Sequence, residues 1–273
     1  CPGLNETFGN EYEKLYLQYE LDGKASKKIR AREIWSLIFQ SQKESGLPYM
    51  LYKDNVNNYN NQNNLGIIKS SNLCCEMMEY SDATETAVCN LSSICLPTYV
   101  ENGKFNFKRL HEITIVITYN LNKVIDRTYY PTEKCRKSNL RHRPIGIGVQ
   151  GLADVYMMLK YSFDSPEAHE MNIKIFETIY HAALSASCKL AKEHGTYETY
   201  EGSPMSKGVF QFDMWDNPKF SGMYNWNVLK DYVKQYGVRN SLLVAPMPTA
   251  TTSQIMGNNE AFEPYTSNIY VRR

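Results

Sequence analysis

The residues best equipped for chemistry lie between Ser71 and Ser93, where the chain reads Ser-Asn-Leu-Cys-Cys-Glu-Met-Met-Glu-Tyr and, further on, Val-Cys-Asn-Leu-Ser-Ser. Thiols, an amide and a carboxylate in one short stretch indicate redox or radical chemistry. Asn72, Cys74 and Glu76 alternate, and in an extended segment alternate side chains share a face. The spacing therefore predicts an amide, a thiol and a carboxylate turned into one pocket. Cys89 is expected as a second sulfur brought back by a turn, and Cys75 as a structural neighbour pointing the other way. A thiol can serve as nucleophile, metal ligand or hydrogen-atom carrier, and a carboxylate two residues away is a local acid or base. The plain alternative is a small buried hydrophobe, against which Asn72 and Glu76 on the same face weigh. Structural zinc is the other alternative, since Cys74, Cys75, Cys89 and Cys95 offer four sulfurs. Their spacing is not that of the short paired knuckles zinc sites use, so no metal ligand set is assigned.

A second group is Ala245-Pro-Met-Pro-Thr-Ala-Thr-Thr-Ser-Gln-Ile-Met-Gly, where hydroxyl residues follow a double-proline turn and precede an apolar helical step. Backbone N–H groups at a helix start, backed by Thr249, Thr251, Thr252 and Ser253, form an anion site. An ordinary N-cap needs only one such residue. No Walker lysine accompanies them, so nucleoside triphosphate hydrolysis is not indicated. Gly146-x-Gly148-x-x-Gly151 has dinucleotide-binding spacing, but Arg141-His-Arg-Pro occupies the place of the expected strand, and close helix packing explains the glycines better. The histidines form no ligand pattern, and the tyrosines lack the basic interleaving of a nucleic-acid platform.

These residues must be positioned by a chain whose periodicity is mostly helical. Apolar Ile34, Leu37 and Ile38 predict a helix over 27–45, stopped by Gly46 and Pro48. Phe107 to Ile125 carries Leu110, Ile113, Ile117, Leu121 and Val124 at three- and four-residue steps. Glu167 to Glu193 does the same through Met171, Ile175, Ile179, Ala182, Ala186 and Leu190. A shorter helix is expected from about Gly148 to Met158. Strands are expected at 49–52, 65–69, 241–245 and 269–271, and a polar loop over 55–64, where seven asparagines gather. Helices alternating with short strands indicate an α/β fold in one domain.

With 30 basic and 29 acidic residues the formal charge is +1, which gives no long-range field for nucleic acid or an anionic membrane. No apolar run approaches the roughly 20 residues that span a bilayer. Seven cysteines scattered over 273 residues are unlike a disulfide framework, so a reducing compartment is read. No secretory signal is visible. The first residue is Cys1 and the last, Arg273, follows a strand-like run, so a piece of a longer protein is expected.

Taken in order and spacing, several strings resemble the large, catalytic subunit of class I ribonucleotide reductase, eukaryotic and DNA-virus type. They are Pro48-Tyr-Met-Leu-Tyr-Lys-Asp, Ser71-Asn-Leu-Cys-Cys-Glu, Ala87-Val-Cys-Asn-Leu, Arg141-His-Arg-Pro-Ile-Gly-Ile-Gly-Val-Gln-Gly-Leu-Ala-Asp, Tyr197-Glu-Thr-Tyr-Glu-Gly-Ser-Pro, Gly257-Asn-Asn-Glu and Glu263-Pro-Tyr-Thr-Ser-Asn. The signature from Trp226 and Leu229 through Gly237-Val-Arg-Asn to Val244-Ala-Pro-Met-Pro is also whole.

That resemblance implies reduction of ribonucleoside diphosphates to deoxyribonucleotides for DNA synthesis. In it Cys74 is the thiyl radical that removes the substrate's 3′ hydrogen, Glu76 the base on the 3′-hydroxyl, and Asn72 the amide that holds the sugar. Cys89 is half of the reducing dithiol, and the turn of Thr249, Ala250, Thr251 and Thr252 cradles the diphosphate. It further implies part of a ten-stranded α/β barrel, with residues 1–273 one segment incomplete at both ends. The cysteine partner of Cys89, the effector sites and the radical-relay tyrosines would lie outside, leaving the segment inactive alone. No cofactor is bound by the chain itself; a metal-containing small subunit supplies the radical, and thioredoxin or glutaredoxin-type donors the electrons. A cytoplasmic homodimer of the full large subunit is implied. Two alternatives stay open: a large-subunit homologue that has lost catalysis and acts as an interaction protein, and a glycyl-radical enzyme sharing the barrel.

Overall fold

The computed structural model describes residues 1–269, which gather into two compact units, Cys1–Tyr80 and Ser81 onward. The strand expected at 269–271 lies outside the described residues except for Ile269.

The first unit holds α1 (Gly9–Leu21), α2 (Ala31–Ser45) and α3 (Lys53–Asn58). Gly46, left-handed at φ 76°, ends α2 where the sequence puts the stop. The helix begins at Ala31, later than expected, and Ile34, Trp35, Leu37 and Phe39 remain exposed. Order here comes from side-chain amides. Asn57 accepts from the N–H of Ile68 at 2.8 Å and donates to its carbonyl at 3.0 Å, so one amide takes both backbone groups that a neighbouring strand would take. This is why 65–69, apolar enough for a strand, runs as coil. Segment 49–52 is coil too. Asparagine-rich 55–64 is in part helical, because α3 extends to Asn58 before the turn begins.

The second unit is layered. β1 (Leu91–Cys95) leads through the hairpin β2 (Val100–Glu101) and β3 (Lys104–Phe105) to α4 (Phe107–Arg127) and α5 (Glu133–His142). β4 (Gly146–Gln150) follows, then α6 (Leu152–Leu159), α7 (Pro166–His194), α8 (Trp226–Tyr236) and α9 (Thr252–Met256). β1 and β4 pair in parallel from Leu91↔Gly146 to Cys95↔Gln150, and a parallel bridge Ile147↔Val244 adds the predicted 241–245 segment beside β4. Helices carry both crossovers, as parallel pairing requires. The α/β expectation holds, with no closed barrel among the described residues.

Alternation gives the sheet two unlike faces. Ile94, Ile147 and Val149 are buried in one core with Leu121 and Ile125 of α4 and Ile175, Ile179 and Leu184 of α7. The other face carries Ser93, Gly146, Gly148 and Gln150. The stretch expected to begin a helix at Gly148 is thus a fully buried strand, and α6 starts only after Gly151, left-handed at φ 76°. The reason is lateral: a Cβ on Gly148 would stand 2.9 Å from Met247 Sδ and 3.1 Å from the Ala245 carbonyl. Gly148 thus serves strand packing, while Gly151 caps α6 close against Pro97.

α7 buries the expected Ile175, Ile179, Ala182, Ala186 and Leu190, with Ser165 as N-cap and Pro166 in its first turn. α4 differs from its reading. Its buried stripe is Leu110, Thr114, Thr118, Leu121, Asn122 and Ile125, whereas Ile113 and Val124 are exposed. Thr114 and Thr118 are admitted because their hydroxyls donate to the carbonyls of Leu110 and Thr114 at 2.8 and 2.9 Å.

Candidate functional site

In the first unit Asn72 and Cys74 sit on a turn, and Glu76 follows it. The N–H of Cys75 donates to the Asn72 carbonyl at 3.1 Å, closing Asn72–Cys75, and Cys75 takes φ 67°. The extended segment expected here is therefore absent, and alternation does not set the directions of Asn72, Cys74 and Glu76. Cys74 is exposed at the turn and Cys75 is half-buried. Asn72 Oδ1 accepts from the Met77 N–H at 3.1 Å and lies 3.3 Å from the Ser71 hydroxyl, which also reaches the Met77 carbonyl at 2.6 Å. The amide's oxygen is thus occupied in holding the turn, and its NH₂ is left as the donor. Glu76 Oε2 is buried and has no hydrogen-bond partner. A buried carboxylate oxygen with no donor is costly, and it is the group here most in need of an incoming hydroxyl.

The remaining predicted residues belong to the second unit. Cys89 is exposed in the coil leading into β1. The hydroxyl run divides. Thr249 is buried, its Oγ1 accepting from the Ala261 N–H at 2.8 Å, and its carbonyl receives the Ser253 N–H and hydroxyl at 2.9 and 2.7 Å. Ala250 is half-buried, and Thr251 and Thr252 are exposed. Thr251 stands at the N-cap of α9 without a capping side-chain bond. Because α9 is only Thr252–Met256, an anion here would be met by exposed hydroxyls and turn N–H groups, with little from a helix dipole. Thr249 shapes the turn from within.

Residues that the sequence reading passed over surround that turn. Asn258 donates to Cys95 Sγ at 3.0 Å, the Asn259 N–H to Asp154 Oδ2 at 2.8 Å, and the Gly151 N–H to the Asn259 carbonyl at 3.0 Å. A cavity of about 390 Å³ opens beside them, lined by Cys95, Thr98, Asp154, Met157, Met256 and Asn258. Burial pushes the Cys95 thiol up, which makes it a poor thiolate. On the glycine-bearing sheet face Gln150 donates to Ser93 Oγ at 2.9 Å, and its buried Oε1 has no partner. The polar Ser93 and Gln150, on one face of the paired strands and two residues apart in register, were the signal available in sequence.

Among the described residues no group of three or more His, Cys, Asp or Glu side chains is placed to hold a metal ion. No described helix is long and apolar enough to cross a membrane.

The sequence model of a family described as "Ribonucleotide reductase, barrel domain" matches residues 1–273. The chain is 58% identical to a ribonucleoside-diphosphate reductase large chain of Neurospora crassa, over 100% of its own length and 30% of the relative's. It is 58% identical to a large subunit of the same name from Plasmodium falciparum and 56% identical to one from Monkeypox virus. Those matches cover all of this chain and 34% and 35% of the relatives. The chain thus spans about a third of the length of the curated relatives it matches.

Proposed function

The chain belongs to the ribonucleotide reductase barrel-domain family, and from that premise we propose that it is an active-site segment of a ribonucleoside-diphosphate reductase large subunit. The relatives' shared name supports the reaction, reduction of ribonucleoside diphosphates to their 2′-deoxy forms as DNA precursors. We read 1–273 as one segment of the barrel domain, working in the cytoplasm within a homodimer of the full large subunit. A subunit called large implies a small one, which supplies the radical from its metal site.

The observation that carries the reading is Glu76 Oε2, buried and without a donor beside the exposed thiol turn. In the proposed reaction Cys74 as a thiyl takes the 3′ hydrogen atom, a reversible step because S–H and sugar C–H bonds are of similar strength. Glu76 accepts the 3′-hydroxyl proton, supplying the missing donor, and the 2′-hydroxyl leaves as water. The NH₂ of Asn72 holds the sugar oxygen. Cys89 and a cysteine outside this span give two electrons and two protons, become a disulfide, and are restored by a thioredoxin or glutaredoxin-type dithiol. Cys74 then returns the hydrogen. The exposed hydroxyls of Thr251 and Thr252, with Ala250 in the turn and Thr249 fixing it from inside, receive the diphosphate.

The test uses the full-length protein with its small subunit. Cys74→Ser abolishes diphosphate reduction and leaves nucleotide binding within a few-fold of the parent. Retained turnover refutes the radical assignment and favours the interaction-protein alternative.

A further inference from the structure

Glu85 is a buried carboxylate that the proposed chemistry does not use. It is 2% exposed although it lies in coil, and it faces the end of α5. Arg141 Nη1 donates to Glu85 Oε2 at 2.9 Å, while the same guanidinium gives its Nε to Glu198 at 2.8 Å. His142 Nε2 lies 3.2 Å from Glu85 Oε2 without the alignment of a hydrogen bond, and its Nδ1 is 2.7 Å from the Thr199 hydroxyl. The Glu85 carbonyl is held as well, by the Ser81 hydroxyl and the Asp82 N–H, both at 3.0 Å.

Five residues on, Asn90 is buried against the same helix. It donates to Asn139 Oδ1 at 2.6 Å and to the Pro144 carbonyl at 2.8 Å, and it accepts from Asn139 Nδ2 at 3.2 Å. Its own carbonyl receives the Gly146 N–H at 2.8 Å, the first bond of the β4 side. Next to Glu85, the Thr86 N–H donates to the Lys134 carbonyl of α5 at 3.2 Å. Cys89 is therefore an exposed thiol on a short span of coil whose two ends are buried on one helix.

We infer that Glu85 and Asn90 are positioning residues for Cys89, with α5 as the platform that fixes where this thiol stands. The inference deepens the proposed function and rests on its reading of Cys89 as a redox thiol. Irregular coil ordinarily wanders, and a thiol on it meets a partner sulfur at low effective concentration. Two buried anchors remove that freedom on the Cys89 side of the couple. Disulfide formation itself is unchanged in kind: two thiols lose two protons and two electrons to substrate, and an S–S bond forms.

The experiment uses full-length large subunit and the variants Glu85→Gln and Asn90→Ala. The Cys89 disulfide is titrated against glutathione with peptide mass readout, and Cys89 alkylation by iodoacetamide is timed with Cys135 as internal control. In each variant the equilibrium constant for the disulfide falls about tenfold, a rise of about 30 mV in the two-electron potential. Cys89 alkylation changes by at least about threefold while Cys135 is unaffected. Glu85→Gln is isosteric and leaves the Asn90 anchor intact, so it decides alone if Asn90→Ala does not fold. Parental potential and parental alkylation, whatever the melting temperature, overturn the inference. If the parent forms no Cys89 disulfide, the redox reading fails, and alkylation alone decides whether the anchors hold the thiol.

Discussion

The two units reach order by different means. In Cys1–Tyr80 no apolar residue of any helix is buried, and the structure is pinned by single amides such as Asn57 on Ile68, Asn60 on Gly66 and Gln62 on Tyr80. From Ser81 onward a continuous core runs from Ile94 through Ile179 to Val238, and its polar groups are tied into it. Arg143, left-handed at φ 45°, pairs with Asp126 at 2.7 Å, while Asn122, Asn240 and Ser187 close a buried ring around it. The thiol proposed to meet a sugar, Cys74, is on the lightly pinned unit, and the thiol proposed to meet another sulfur, Cys89, is on the heavily packed one. Packing supplies rigidity where geometry between two protein atoms matters, and a turn supplies access where a substrate must reach the atom.

The contrast can be broken most forcefully at the core. Leu184→Ala, at a fully buried position, costs about 2–5 kcal/mol in denaturant unfolding, whereas Leu37→Ala on exposed α2 stays within about 0.5 kcal/mol. Equal effects would erase the distinction. Next comes Asn57→Ala, which leaves both backbone groups of Ile68 unpaired and costs about 1–3 kcal/mol. Hydrogen exchange should lose protection at Ile68 and keep it at Ile147 and Val149; loss at all three would mean the units are not separable in stability.

The smallest effect is a pH limb confined to the packed unit. His181 stacks on Tyr224 at 4.3 Å and its Nδ1 lies 3.0 Å from His111 Nε2. Burial first, and then the His111 charge, lower its pKa to about 4, and burial lowers His111 as well. A neutral histidine that must charge on unfolding contributes stability in full above about pH 6.5, and that contribution is lost as pH falls toward 4. His181→Phe should flatten the stability profile across that window; an unchanged acid limb would remove the pair from the account.

Much of this was legible in the chain. α7 announced itself because its buried residues are mostly apolar and regularly spaced, and the 241–245 segment that bridges to β4 and the Gly46 stop were also readable. α4 misled because Thr114, Thr118 and Asn122 are buried through hydrogen bonds that composition does not display, while Ile113 and Val124 face out. β1 went unread, since Ser92 and Ser93 hide an alternation that only the Ile94 face completes. At the site, residue types were readable and conformation was not. The turn at Asn72–Cys75 depends on Cys75 taking a positive φ, which nothing in a Cys-Cys pair advertises. Glu85 and Asn139 were invisible because their partners are 56 and 49 residues away.

The bond from Asn258 to Cys95 joins residues 163 positions apart, and that from Asn259 to Asp154 spans 105. Closing such loops costs chain entropy that the assembled fold must repay. The turn proposed to receive an anion is held by contacts of this long-range kind. Its shape is therefore set by the folded unit rather than by the Thr-rich sequence alone.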